Sequence, residues 1–341
     1  MGPSGLQSPD YRALPRLFRR RRVLIIGCGD IGQRLAALAG SHWRVFGVAR
    51  SLQTAERIRA AGATPMLVGV PHRRLQGLAR WVVHSAPPPA DGVDAHGVAI
   101  DPLTRAWTAS LLRAPGRAGH GRHTLHARPT GQRIRPATPV RLVYLSTTGV
   151  YGDRQGRWTS EETGVHPLTE RARRRVDAEQ CLRRAGRTSP MLRPAILRVP
   201  GIYAIDRLPL KRLQERLPAL VPVDDVRTNH IHADDLARLV RVALCRHRNQ
   251  RTLNVVDDSS LAMGDYLDLV ARWAGLAPPP RVDRPTLLAA VTPMRASFMS
   301  ESRQLTNRRM KRELRLPLRY PTVADFLAAH LPPEKVSRVA I

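Results

Sequence analysis

Gly27, Gly29 and Gly32 form a G-x-G-x-x-G pattern inside the stretch RRVLIIGCGDIGQRLAALAG. The chemistry open to such spacing is phosphate binding by the main chain. The first glycine bends the chain tightly, the second lets a pyrophosphate approach the backbone, and the third lets a strand and a helix pack closely. The phosphates then sit at a helix N-terminus, where free N–H groups point outward. Gly27, Cys28, Gly29, Asp30, Ile31 and Gly32 are therefore candidate contacts for a dinucleotide, the alternative being a tight turn with no ligand. A second determinant lies where the next strand closes, at VARS. NAD sites carry an acid there for the ribose hydroxyl, whereas an arginine accommodates a 2′-phosphate. Arg50 and Ser51 occupy that place with no carboxylate beside them, so NADP(H) is favoured over NAD(H).

The turn works only if a strand precedes it and a helix follows. RRVLII reads as a short buried strand, and Ile31, Leu35 and Leu38 give a helix from about Ile31 to Ala39 that Gly40 can cap. WRVFGVAR, TPMLVGV and RWVVHSAPPP read as further strands, with a helix at TAERIRAAG and another at DPLTRAWTASLLRA. VRLVYLSTTGVYGD is a fifth strand running into a turn, LTERARRRVDAEQCLRRAG a helix and PAILRVPGIYA a sixth strand. This alternation implies an α/β fold with a doubly wound, mostly parallel sheet. Beyond residue 205 the pattern loosens into a smaller C-terminal α/β lobe. The expected organisation is a basic leader over 1–21, a dinucleotide-binding domain over 22–204 and a substrate-side lobe over 205–341. Residues 113–140 form an insertion without periodicity, expected to be disordered.

LVYLSTTGVYGD, ILRVPGIYA, NHIHADDLAR and LNVVDD follow the glycine turn in that order. Together they resemble the extended short-chain dehydrogenase/reductases, the nucleotide-sugar epimerase and dehydratase branch, over roughly residues 22–325. The resemblance implies a Rossmann domain that binds the dinucleotide and a C-terminal lobe that closes over the substrate. It implies a reacting-centre hydroxyl at Thr147, with Ser146 just before it. It also implies that Ser85 and Ala86, ending the fourth strand, line the cofactor, and that Pro200, with Gly201 and Ile202, lies beside the nicotinamide.

The family places a Tyr on the next helix, with a Lys four residues later on the same face. The Lys lowers the Tyr pKa so that the phenol can exchange a proton with the substrate oxygen. Counting back from Glu179, those positions hold Arg171 and Arg175. A guanidinium keeps its proton throughout the working range and is a poor acid–base catalyst. The two arginines instead suit an anionic substrate group or the cofactor's phosphates. The turn also departs from the family's G-x-x-G-x-x-G by one residue. The sequence is thus similar to the atypical members, some of which lack the Tyr.

Other clusters carry less. His230, His232, Asp234 and Asp235 could suggest a metal, but the same residues suit a strand end and a helix cap, with Asp234 or Asp235 accepting backbone N–H bonds. His120, His123 and His126 lack a regular element to position them, and no metal is expected there. Asn254 and Asp257 read as turn formers, and Asp153, Glu161 and Glu162 as a solvated loop. The formal charge of +29 is almost wholly arginine, with lysine only at Lys211, Lys311 and Lys335, and aromatic residues make up only 4%. That pattern looks compositional, and specific nucleic-acid binding is not expected. Three separated cysteines and no apolar leader or spanning segment point to a reduced, cytoplasmic protein without a membrane anchor. The expectation is an NAD(P)-dependent oxidoreductase or epimerase-like enzyme acting on a small, anionic or sugar-type substrate, with a homodimer left open. The alternative is a non-catalytic NADP(H)-binding sensor.

Overall fold

The computed structural model describes residues 20–67, 78–112, 138–290 and 301–332. Most of the leader, residues 113–137 of the insertion expected over 113–140, and His120, His123 and His126 lie outside these residues, whereas Val140 at the insertion's end is the first residue of a strand. The chain runs β1 (Arg21–Ile26), α1 (Asp30–Ala39), β2 (Trp43–Ala49), α2 (Leu52–Ala60), β3 (Thr64–Leu67) and β4 (Trp81–His84). It continues with α3 (Pro102–Leu112), β5 (Val140–Thr147), α4 (Glu170–Thr188) and β6 (Leu192–Val199). Then come β7 (Gly201–Tyr203), β8 (His230–His232), α5 (Ala233–Arg246), β9 (Arg251–Asn254) and α6 (Met263–Ala274).

Seven strands make one sheet in the order β9-β6-β5-β4-β1-β2-β3, and every pair is parallel. Parallel strands are buried on both faces, which explains the unbroken apolar runs in β1 and β5. Alternate residues serve opposite faces. Val23 and Ile25 of β1 join α1 and α5 through Leu35, Leu236 and Val240. Leu24 and Ile26 join α3 and α4 through Trp107, Ala178 and Leu182. The chain reverses its direction of travel across the sheet at β1, whose neighbours are β2 and β4. That reversal leaves a crevice at the carboxyl ends of these strands, the usual ligand position in an open α/β sheet.

A boundary at residue 204 does not describe the path of the chain. Residues 233–254 return to the main sheet, α5 covering one face and β9 adding its outermost strand beside β6. The sixth strand also stops earlier than its apolar run suggests. Pro200, which has no N–H to donate to a ladder, separates β6 from β7, and β7 pairs instead with β8. This second small sheet overhangs the crevice. Beneath it, Tyr203, Tyr266, Tyr320 and Phe326 build a separate apolar cluster with Leu267 and Val323.

Candidate active site

The three glycines of the turn do different work. Gly27 has φ +78°, and a Cβ there would stand 2.4 Å from the Ala86 backbone nitrogen. Only glycine fits both conditions. A Cβ on Gly32 would meet Ile25 Cγ2 at 3.0 Å and Cys28 Sγ at 3.1 Å, so this position sets the approach of α1 to β1. A Cβ on Gly29 would meet nothing within 4 Å. The turn is therefore open at Gly29, the N-cap of α1, with no side chain capping the helix amides. Ser85 and Ala86 brace it from β4: both amides donate to the Ile26 carbonyl, and the Ser85 hydroxyl donates to the Gly27 carbonyl at 2.8 Å.

Cys28 points away from the crevice into the core, where burial pushes its thiol up to about 12. It shapes the turn from beneath. Ser51 spends its hydroxyl as the N-cap of α2, accepting from the Thr54 amide at 3.2 Å. Arg50 stands exposed after β2. It is outside the cavity of about 230 Å³ that the turn opens into, which is lined by Gly27, Gly29–Gly32, Ser85, Ser146, Thr147, Arg171, Arg175, Pro200 and Arg207.

A larger cavity of about 700 Å³ adjoins it, sharing Thr147, Arg171, Pro200, Ile202 and Arg207 with the first. Thr147 closes β5, and its hydroxyl accepts from the Gly149 amide at 3.2 Å. Ser146 is placed differently. It is buried and donates to Glu179 at 2.7 Å, and Glu179 forms a buried ion pair with Arg198. Its hydroxyl is thereby committed to the support of β5 and β6, and Thr147 is the hydroxyl presented to both cavities.

Thr169 caps α4 by accepting from the Ala172 amide, which sets Arg171 and Arg175 in the first turns of that helix. Arg171 lies between the two cavities and is exposed, and partial desolvation by the cavity walls together with the neighbouring Arg175 charge lowers its pKa against the opposing pull of Glu301. Arg175 is anchored. Its Nη1 donates to the Leu145 carbonyl at 2.8 Å and the Tyr144 hydroxyl at 2.9 Å, and it lines only the smaller cavity. Of the two, Arg171 reaches the larger cavity and Arg175 does not.

The rest of the larger cavity comes from segments that the sequence alone did not join to the site, Asn229 and His230 among them although they lie in NHIHADDLAR. Arg207 follows β7, Arg227, Asn229 and His230 lead into β8, Met263 and Tyr266 open α6, and Glu301 and Arg303 precede residue 304. Four arginines face one glutamate in its wall. Glu301 is itself paired with Arg303 at 2.6 Å. The wall also holds His230 stacked on Tyr266, with ring centroids 4.3 Å apart. Burial holds His230 down at about 4 and raises the Tyr266 phenol above its ordinary value. Both side chains are therefore neutral at neutral pH.

The histidine–aspartate cluster is structural, though not as its order suggests. His232 supplies the cap of α5, its Nδ1 accepting from the Asp234 amide at 3.2 Å. Asp234 pairs with Arg34, and the buried Asp235 accepts from the amides of Arg319 and Tyr320. Among the described residues no group of three or more His, Cys, Asp or Glu could hold a metal ion, and no helix is long and apolar enough to cross a membrane.

No protein-family model matches the chain. Protein YeeZ of Escherichia coli K12 is 24% identical over 263 residues, which span 76% of this chain and 86% of that protein. A functionally unknown conserved protein from Silicibacter pomeroyi is 29% identical, with a TM-score of 0.69 covering 91% of this chain and 97% of that one. A UDP-glucuronic acid 4-epimerase from Bacillus cereus, solved in complex with NAD, superimposes with a TM-score of 0.66 at 14% identity, covering 94% of this chain and all of that one. These likenesses and the strand order agree: the chain has the Rossmann-type α/β fold of the NAD-dependent epimerases and dehydratases.

Proposed function

We propose that this chain is a nicotinamide-dinucleotide-dependent oxidoreductase or epimerase-like enzyme that acts on a small anionic substrate. The observation that carries the proposal is the junction of the two cavities. An open glycine turn leads, through Thr147, Arg171 and Pro200, into a chamber walled by arginines. The residues present fit a dinucleotide. Gly29 leaves room for a pyrophosphate against the α1 amides, which carry the positive end of the helix dipole.

The cofactor supplies a hydride acceptor or donor. Thr147 hydrogen-bonds the substrate oxygen at the reacting carbon. Arg171 holds negative charge on the substrate or stabilises it as it develops on that oxygen, acting electrostatically. It does not shuttle the proton, because a guanidinium stays charged even when desolvated. The cavity wall provides other proton-bearing groups, and Tyr266, which remains a phenol, can donate from it. NADP(H) is the preferred form, since Arg50 rather than an acid follows the end of β2.

Calorimetric titration of the full chain with NADPH, NADP⁺, NADH and NAD⁺ tests this reading. NADPH binds more tightly than NADH, and Arg50→Ala removes about tenfold of that preference, the size of one charge-assisted phosphate contact. Tighter binding of NADH, unchanged by Arg50→Ala, contradicts the preference. Failure of all four to bind contradicts the function. A non-catalytic dinucleotide-binding protein is the second reading, favoured by Arg171 standing where a phenol would exchange the proton. Oxidation of bound NADPH by any member of a panel of anionic and nucleotide-linked carbonyl compounds decides for the enzyme.

A further inference from the structure

Asp30, the first residue of α1, stands where the dinucleotide's pyrophosphate would rest. It lines the small cavity and is held from both sides. Arg34 Nε lies 2.8 Å from Asp30 Oδ1, and Arg207 Nη2 lies 2.8 Å from Asp30 Oδ2. The two arginines are not equivalent. Arg34 is on the same helix and is shared with Asp234 at 2.6 Å and Asp206 at 3.7 Å, so it is fixed from several directions. Arg207 comes from the short turn after β7, across the crevice, and it lines both cavities.

A carboxylate in the first turn of a helix is favourable for the same reason that a phosphate is, because both answer the helix dipole and its free amides. Two anions brought to that one end repel each other, and they compete for any cation nearby. The side chain able to serve either is Arg207, whose five donors suit phosphate as well as carboxylate.

We infer that Arg207 is a cofactor-binding residue that exchanges partners, pairing with Asp30 until the dinucleotide binds and with the pyrophosphate once it does. Asp30 then acts as an internal competitor that weakens nucleotide binding, and Arg207 ties occupancy of the turn to the wall of the substrate cavity. The inference rests on the proposed dinucleotide site and adds to it a role for these two side chains.

The test is NADH and NADPH titration of the full-length wild type, Asp30→Asn, Arg207→Ala and the double variant, with thermal unfolding of each as a control for folding. Asp30→Asn tightens binding on the order of tenfold, because it removes one charge beside the phosphates and frees the guanidinium. Arg207→Ala weakens binding by a similar factor, and in the double variant the gain from Asp30→Asn shrinks. Raising the salt concentration reduces all three effects. Equal or weaker binding by a folded Asp30→Asn protein, with the wild type binding normally, overturns the exchange while leaving the dinucleotide site in place. Unaltered affinity in Arg207→Ala does the same. Absence of binding by the wild type and Asp30→Asn alike removes the dinucleotide site itself, and the exchange with it.

Discussion

Gly27 and Gly29 are two residues apart and identical in type, yet the structure assigns them opposite sensitivities. Gly27→Ala places a methyl group 2.4 Å from the Ala86 backbone in a left-handed conformation. Its cost falls on folding, about 2–4 kcal/mol, read as a lowered midpoint in denaturant or heat. Gly29→Ala meets no atom of the protein. Its stability stays within about 1 kcal/mol of the wild type, the ordinary difference between glycine and alanine at an N-cap. The added methyl instead occupies the path of the phosphates and weakens NADH or NADPH binding by about 1–3 kcal/mol. Loss of stability without loss of affinity in Gly29→Ala would show that nothing approaches the turn there. Arg171 and Ser146 teach a related lesson. Both match positions that the resemblance placed at the reacting centre, but Ser146 is bound to Glu179 beneath the strand and lines only the smaller cavity, while Arg171 reaches both.

The elements bury several titratable groups at their ends, and these groups make stability depend on pH. His84 closes β4, His230 opens β8 and His247 follows α5, and burial holds them down at about 3, 4 and 4. The unfolded chain takes up these protons near the ordinary imidazole value of about 6.5. The stability they allow is full above that value and is lost as pH falls toward the folded ones. Asp257, just past β9, acts in the opposite sense because burial pushes its carboxyl up to about 7. Folded protein keeps a proton that the unfolded chain has released, so this contribution is present at low pH and is lost as pH rises through about 7. Near pH ~5 these three imidazoles oppose one carboxyl, so stability rises with pH by about 2–3 kcal/mol per unit, and His232, which burial also holds down, acts in the same sense. Asp257→Asn removes the opposing group and steepens that slope by ~1.4 kcal/mol per unit. Denaturant titrations across this range measure it, and a shallower slope in the variant contradicts the assignment.

For the molecule as a whole, legibility in the sequence followed distance along the chain. The β1–turn–α1 unit was readable because each part is local: an apolar run, three glycines with distinct steric roles, and a helix with its own period. The doubly wound sheet was readable for the same reason, strand by strand. The place of its outer strand was not, because β9, legible as a strand in TLNVVDD, joins the sheet only by pairing with β6, far earlier in the chain. The larger cavity was the least legible part. Its wall draws on residues 226–230, 263–266 and 301–303, which meet only after β7 leaves the sheet at Pro200 and pairs with β8. The Arg207–Asp30 pair likewise joins two turns with no common periodicity. The proposed site places the dinucleotide against the amides of residues 27–32. Amide hydrogen exchange of the full chain, with and without saturating NADPH, tests it most directly. Exchange is expected to slow at residues 27–33 and at 84–86, the segments that build and brace the turn. Binding that leaves these amides unprotected while slowing exchange elsewhere would contradict the account.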